Sequence, residues 1–333
     1  MKRTILLIAG LFVSLSCSIF AQNPNIGTAG AQFLKIPVGP RGIGMGGAYV
    51  SNASDATALF WNPAGIVHVK ENEVSASYTS WWGGINLNHA SFVHTTEGAG
   101  SFGISMSLLT MGDMEVTTEL QPEGTGQKFD AQDLMLGASY ARSLTEDFAV
   151  GISVKLVNQR IWNETANGLA FDVGTQYRIG FGDLTIGMSM MNFGSDMKYD
   201  GQDLAVKYDA STQDPNNRLA PANLATEDYP LPLHFQVGVS MTVLNTEAMK
   251  VRLAVDAAHP NDNQERINVG TEMTVLDCLF LRGGYRFGYD LETATFGAGA
   301  VAPLGGSDIK FDYSYALYQL LTNVHRLSIG VTF

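Results

Sequence analysis

Residues 42–67 read GIGMGGAYVSNASDATALFWNPAGIV. The stretch is small-residue-rich and turn-prone, and it lacks the alternation of a strand. Gly42, Gly44, Gly46 and Gly47 allow close backbone approach. Asn52, Ser54 and Asp55 are residues that start helices, so Ala56 to Trp61 is expected to form a short helix. Asn62-Pro63 should end it, because a residue before proline is pushed out of the helical region. Such a segment is too small to bury a core alone. It needs a container, and the rest of the chain has the pattern of one.

The container is visible as period-two alternation after residue 72. Candidate strands fall at 73–82, 85–95, 100–110, 133–143, 148–158, 167–179, 184–193, 233–243, 249–258, 266–275, 279–289, 294–302, 309–317 and 323–333. That is about fourteen strands, most of them near the 9–11 residues that a tilted strand needs to cross a bilayer. In the last one, Leu327, Ile329, Val331 and Phe333 share one face, and Arg326, Ser328, Gly330 and Thr332 the other. Period two sends the first set to lipid and the second to the lumen. Phe235, Val237, Val239 and Met241 repeat the pattern, and Tyr285, Phe287 and Tyr289 are placed for a membrane interface.

The connections fall into two sets. Residues 96–99, 144–147, 180–183, 244–248, 276–278 and 303–308 are short; the interleaved 111–132, 159–166, 194–232, 259–265 and 318–322 are generally longer. Short turns on one rim and long loops on the other are expected of an outer-membrane barrel, not of a soluble sandwich.

Composition agrees. The chain is 45% hydrophobic but only 16% charged, against about 25% charged in soluble domains. No later apolar run reaches the length of a spanning helix. Residues 1–21 read as a secretory signal, with Lys2 and Arg3, then an apolar core from Ile5 to Leu15, then Ala21 before the cleavage point. Cleavage at Cys17 fits less well, because Ser14-Leu15-Ser16 lacks the aliphatic first residue of a lipoprotein signal. The mature chain then keeps Cys278 alone, which excludes an intrachain disulfide. A net charge of −12 argues against nucleic acid.

The stretch MGGAYVSNASDATALFWNPAG resembles the N-terminal segment of the PorV/PorQ family of outer-membrane proteins. The correspondence rests on Asp55 ahead of Trp61, Asn62, Pro63, Ala64 and Gly65. That family is similar to the FadL-type channels, in which an N-terminal hatch with an Asn-Pro-Ala motif plugs a fourteen-stranded barrel. The resemblance implies an all-β transmembrane barrel, a hatch over 22–72 and a barrel over 73–333. It also implies a non-enzymatic part in type IX secretion, through the translocon, the attachment complex or the signal domains of exported proteins. The alternative is a FadL-like channel for hydrophobic compounds, in which Phe33, Leu34, Ile36, Leu59, Phe60 and Trp61 either line a pocket by the hatch or, as base rates favour, form the hatch's own small core. Phe333 resembles the terminal aromatic signal read by the barrel assembly machinery.

Candidate site residues follow from the barrel phase. Arg252, Asp256, Glu272, Arg282, Arg286 and Asp312 collect on the lumen face of neighbouring strands. They are expected either to line a polar path or to pair up against the hatch. Met111, Met114, Met191 and Met197 sit near the long-loop rim, and flexible methionines suit an adaptable protein-binding surface. The long loops 111–132 and 194–232 are acidic. The six histidines show no metal-ligand spacing, no catalytic motif is present, and no cofactor is expected. Expected partners are outer-membrane lipid, the assembly machinery and secretion proteins.

Overall fold

The computed structural model describes residues 25–208 and 220–333; the signal reading for 1–21 lies outside them. Among these residues, fourteen long antiparallel strands close into a ring. They are β1 (Asn72–Ser80), β2 (Asn86–Thr96), β3 (Gly100–Thr110), β4 (Ala131–Ser143), β5 (Phe148–Ile161), β6 (Glu164–Ile179) and β7 (Leu184–Gly194) in the first half. The second half holds β8 (His234–Asn245), β9 (Met249–Pro260), β10 (Arg266–Val275), β11 (Leu279–Phe287), β12 (Glu292–Leu304), β13 (Ser307–Tyr318) and β14 (Val324–Thr332). Each strand pairs with the next, and β1 pairs with β14 from Glu73↔Thr332 to Ser80↔His325, which closes the seam. No helix among the described residues is long and apolar enough to cross a membrane; the strands do so.

The alternation explains the orientation of each strand. On β14, Leu327 and Ile329 are exposed on the outer face while Arg326 is buried inside. On β8, Phe235 faces out, and Gln236 and Ser240 face in. An apolar exterior and a polar interior fit a wall with lipid outside.

Two expectations change. The sequence pattern places 159–166 among the longer connections, but β5 and β6 run on to a two-residue turn at Trp162 and Asn163. At 14 and 16 residues, those strands exceed a bilayer crossing, so the extra chain builds wall above the membrane. Tyr289, expected at a lipid interface beside Tyr285, instead lies against the guanidinium groups of Arg266 and Arg286, 4.3 and 5.2 Å from its ring centre. Cation–π attraction offsets the loss of the interfacial position.

The chain ahead of β1 has two short helices, α1 (Pro40–Gly44) and α2 (Ala58–Trp61), and 3-10 turns at Gln32–Lys35 and Pro63–His68. Proline at the first position sets α1, where its missing N–H costs nothing. Helix α2 starts two residues later than expected, because Asp55 turns its carboxylate to the Thr57 backbone N–H and hydroxyl and caps that turn instead. It stops where expected, with Asn62 extended at φ −163°.

This segment touches the inner wall on several sides. Helix α1 packs on β11, β12 and β13, and Pro63–His68 packs on β4, β5 and β6. Ile43, Met45, Tyr49, Leu59 and Ile66 of the segment are at most 2% exposed and cluster with Leu87, Val93, Ala141 and Ala254 of the wall. The main apolar core therefore lies between segment and wall. Inward-facing glycines make room for it: a Cβ at Gly151, Gly174, Gly187, Gly270 or Gly284 would come within 2.0–2.5 Å of segment atoms.

Candidate functional site

Charged side chains interlock the segment with the wall. Arg41, on α1, forks onto Glu272 of β10, with Nε and Nη2 at 2.9 and 3.0 Å from the two carboxylate oxygens. Its Nη1 reaches Asp55 at 3.1 Å, and the Tyr49 hydroxyl donates to the same Asp55 oxygen at 2.7 Å. Glu272 also takes Arg282 Nε at 2.7 Å, and Arg282 passes on to Asp312 at 2.5 Å. Burial works against the Arg41 charge, but Glu272, Tyr49 and Asp55 outweigh it and hold its pKa well above the ordinary value. Burial pushes the Asp55 carboxyl up, yet Arg41 and the Thr57 and Tyr49 hydroxyls bring it below its usual range. Burial raises Tyr49 well above an ordinary phenol.

The other lumen charges also meet the segment. Asp256 accepts the backbone N–H groups of Tyr49 and Val50 at 2.8 and 2.9 Å and the Gln236 amide at 2.7 Å. Arg286 donates to Gly46 O at 2.9 Å and pairs with Glu292 at 2.5 Å. Arg252 donates to the Asn52 side chain and pairs with Asp183 at 3.1 Å. All six lumen charges expected from the sequence thus meet either the segment or each other. Arg41 and Tyr49 were not singled out in the sequence. An arginine in a glycine-rich run, facing a lumen that holds carboxylates, was the available signal.

The Asn62-Pro63 turn is fully buried. Asn62 Nδ2 donates to Val50 O at 2.8 Å and to Thr175 O of β6 at 3.0 Å, and its Oδ1 accepts Ala64 N–H at 3.1 Å. Trp61 Nε1 donates to Val38 O at 3.0 Å. A Cβ on Gly65 would sit 2.4 Å from Ala53 O, so the turn tolerates no larger residue there without moving.

At the long-loop rim the loop after β7 folds back over the lumen. Tyr199–Gly201 adds to β6, and Met197 pairs with Tyr229 in an isolated bridge. The Tyr229 ring lies against Gly30, whose N–H donates to Pro230 O at 3.0 Å. Lys35 and Gln32 both reach Asp262, in the β9–β10 loop, at 2.6 Å. This folding corrects part of the methionine expectation. Met197, 1% exposed, packs with Ala166, Ala170 and Leu231 beneath the loop, and Met191, 5% exposed, faces inward from β7 beside Leu34, Phe60 and Trp61, so neither lies on the outer surface. Met114 stays exposed, and Met111 is half-buried at the base of a two-stranded ribbon, Met114–Glu115 with Lys128–Phe129.

Two cavities flank the turn Gln32–Lys35 at this rim. One, of about 700 Å³, is open and mostly apolar, with Phe33, Ile36, Trp81, Leu109, Tyr199 and Tyr229 among its walls. The second, of about 300 Å³, mixes charged and apolar walls and runs between Lys35, Trp82, Arg266, Arg286, Tyr289 and Glu292. At the opposite rim a polar cavity of about 240 Å³ is bounded by residues 51–54, His68, Arg178 and Arg252. Among the described residues, no cluster of side chains has the makings of a metal site.

The sequence profile of type IX secretion system protein PorV matches residues 19–225, which takes in the N-terminal segment, β1 to β7 and most of the following loop. The chain belongs to the PorV family. Comparison with curated protein sequences finds no significant match. Among solved structures, the Ralstonia pickettii toluene transporter TbuX is similar with a TM-score of 0.55 at 14% identity, covering 88% of this chain and 97% of that one. The Pseudomonas putida toluene transporter TodX gives 0.55 at 13%, covering 87% and 95%. A Pseudomonas aeruginosa FadL homologue gives 0.55 at 12%, covering 89% and 98%. At such identities the likeness shows the fold, and with the PorV family it identifies an outer-membrane barrel of FadL-like architecture that is not an enzyme. The short turns then face the periplasm and the long loops the exterior.

Proposed function

We propose that this PorV-family barrel serves type IX protein secretion as a closed platform. Its N-terminal segment acts as a hatch, and its extracellular rim binds a protein of that system: the translocon, the attachment complex or an exported signal domain. The observation that carries this reading is the family match over 19–225. The interlocked lumen supports it, since Arg41, Asp256 and Arg286 tie the segment to the wall at separate points. Lipid and the barrel assembly machinery are the partners implied by an outer-membrane strand ring ending on an aromatic residue.

The test uses the rim loop. Thr226 donates to Tyr199 O at 2.6 Å, so residues 202–225 can be replaced by a short Gly-Ser linker without pulling on Met197 or Tyr229. The expected outcome is an assembled barrel and loss of exported proteins from the cell surface. Normal surface attachment with the shortened loop would remove the rim loop from the recognition site.

A second reading, uptake of hydrophobic compounds, draws on the apolar cavity of about 700 Å³ beside Phe33 and Ile36 and on the fold shared with two toluene transporters. It expects accumulation of labelled toluene in cells to fall when the protein is deleted. Among the described residues every neighbouring strand pair is formed, with register shifts only near Asp172, Val243 and Glu292. The wall thus shows no missing pair through which a ligand would leave sideways.

A further inference from the structure

The polar cavity at the periplasmic rim, of about 240 Å³, runs along the short turns. Strand order places Glu146 and Asp147, of the β4–β5 turn, at one end, Arg178 of β6 in the middle and Arg252 of β9 at the other end. Drug-sized sites run to about 300–1,000 Å³, so this one suits a head group rather than a whole molecule. Its floor is already set. Gln176 donates to Ala53 O at 2.9 Å and to Val50 O at 3.3 Å, and its Oε1 lies 2.8 Å from His68 Nε2. Phe148 and Ala149 give the cavity one apolar side.

Some of its charges are already engaged. Arg252 pairs with Asp183 at 3.1 Å and donates to the Asn52 side chain. Burial holds His68 below its ordinary pKa, and Arg178 and Arg252 add to that, so its ring is neutral at neutral pH. Arg178, Glu146 and Asp147 remain, exposed and without an ion pair among the described residues. The Arg178 backbone N–H donates to Asp147 O at 2.8 Å, which sets the spare cation and a spare anion side by side. Ser51 lines the same cavity at 4% exposure, and its buried hydroxyl has no hydrogen-bond partner in the protein. A buried polar group left unpaired costs free energy, so it marks a place built to be completed. A bare anion drawn to Arg178 meets the repulsion of Glu146 and Asp147, and a bare cation drawn to those meets Arg178. A group that carries both charges close together meets neither penalty.

From this juxtaposition we infer that the periplasmic cavity binds the zwitterionic head of an amino acid. Arg178 and the Ser51 hydroxyl take its carboxylate, Glu146 and Asp147 take its ammonium, and Phe148 packs the first carbons of its side chain. Bidentate arginine suits a carboxylate, and hydrogen bonds between charged groups are the strong ones. Two sources in the periplasm carry such a head: free amino acids, and cell-wall stem peptides whose diamino acid is attached by one of its two ends. The inference is independent of the secretion reading and of the extracellular rim. It gives the barrel a ligand on its inner side.

The test uses the mature full chain in lipid nanodiscs, titrated calorimetrically with diaminopimelate, with the cell-wall tripeptide alanyl-γ-glutamyl-diaminopimelate, with pimelate and with cadaverine. Pimelate and cadaverine keep the carbon chain but carry one sign of charge each. Diaminopimelate should bind saturably and at least about tenfold tighter than either, as expected for a charge-assisted hydrogen bond gained. Arg178→Gln should weaken it by about tenfold or more, and so should Glu146→Gln combined with Asp147→Asn. These side chains are exposed, and heat-modifiable gel mobility shows that the variants are folded. Tripeptide binding as tight as that of diaminopimelate supports the inference with the cell wall as source; binding of the free amino acid alone supports it with a solute as source. No saturable binding of either, pimelate or cadaverine binding as tightly, or an affinity unchanged by Arg178→Gln would each overturn it. The assay needs no secretion apparatus, so its failure leaves the surface-attachment experiment standing as the separate test of function.

Discussion

Replacing Asn62 by alanine should loosen the N-terminal segment and leave the strand ring intact. The side chain is fully buried and makes three hydrogen bonds, to Val50 O, Thr175 O and Ala64 N–H. Gln176 also donates to Val50 O, at 3.3 Å, so that carbonyl keeps a partner. Ala64 N–H does not, and is left buried and unpaired. At about 1 kcal/mol for each net hydrogen bond plus the penalty for one orphaned donor, the loss is roughly 3–4 kcal/mol. None of it falls on the ladders between strands. If the segment closes the lumen, its opening equilibrium should rise by about two to three orders of magnitude, since each 1.4 kcal/mol is tenfold. Planar-bilayer recording reads this as more frequent openings. Gly174→Ala attacks the same contact from the wall, because its Cβ would sit 2.0 Å from Asn62 Oδ1. A folded Asn62→Ala barrel with the parent's opening frequency would refute both the plug and the energetics.

Two further outcomes follow from other parts of the molecule. His68, packed at the periplasmic rim beside Gln176, is held below its ordinary pKa by burial, with Arg178 and Arg252 adding to the effect. The folded protein keeps it neutral where the unfolded chain takes up a proton, near pH 6.5, so its contribution is complete above that pH and is lost as pH falls. His68→Gln should flatten the decline in melting temperature between pH 7.5 and 5.5, and an unchanged slope would rule the residue out. Phe333 exchanges two backbone hydrogen bonds with Asn72, at 2.9 and 3.0 Å, at the periplasmic end of the seam. Its deletion costs a folded barrel about 2 kcal/mol, so membrane levels of folded protein should fall far more than melting temperature does; parental levels would remove its role in assembly.

The wall was legible because lipid imposes a simple rule. A period-two apolar face is required of a strand in lipid, as on β14 with Leu327 and Ile329 outside and Arg326 inside. What failed was local. Strands β5 and β6 outrun the membrane, where the rule no longer applies, and a hairpin turn was read as a loop. Met197 looks alike in sequence to exposed Met114, and only the folded loop decides which way each side chain turns, whereas Met191 is turned inward by its place on β7 beside exposed Met190. The segment inside was the hardest to read. Its elements are a turn or two long, and its order comes from contacts remote in sequence, such as Arg41 with Glu272 across 231 residues. The glycines at inward positions, Gly151, Gly174, Gly187, Gly270 and Gly284, were an unused signal, because a wall that meets only water has no need to omit side chains there.

The chemistry of the lumen bears on how such a barrel is used. Buried ion pairs contribute little stability over apolar packing of the same volume, because desolvation offsets the attraction. Their value lies in fixing one arrangement among several. A segment held by Ile43, Tyr49 and Leu59 alone could rotate or slide within an apolar sleeve. Here Arg41 seeks a carboxylate on β10, the Tyr49 and Val50 amides one on β9, and Gly46 O a guanidinium on β11. Any shift of the segment unpairs several charges at once, at about 3–5 kcal/mol for each partner stripped from a buried pair. A channel that must open repeatedly gains nothing from that arrangement. A platform that presents a constant face, as proposed above, does, because the segment that Arg41 and Arg286 hold in place also carries Lys35 to Asp262 at the rim.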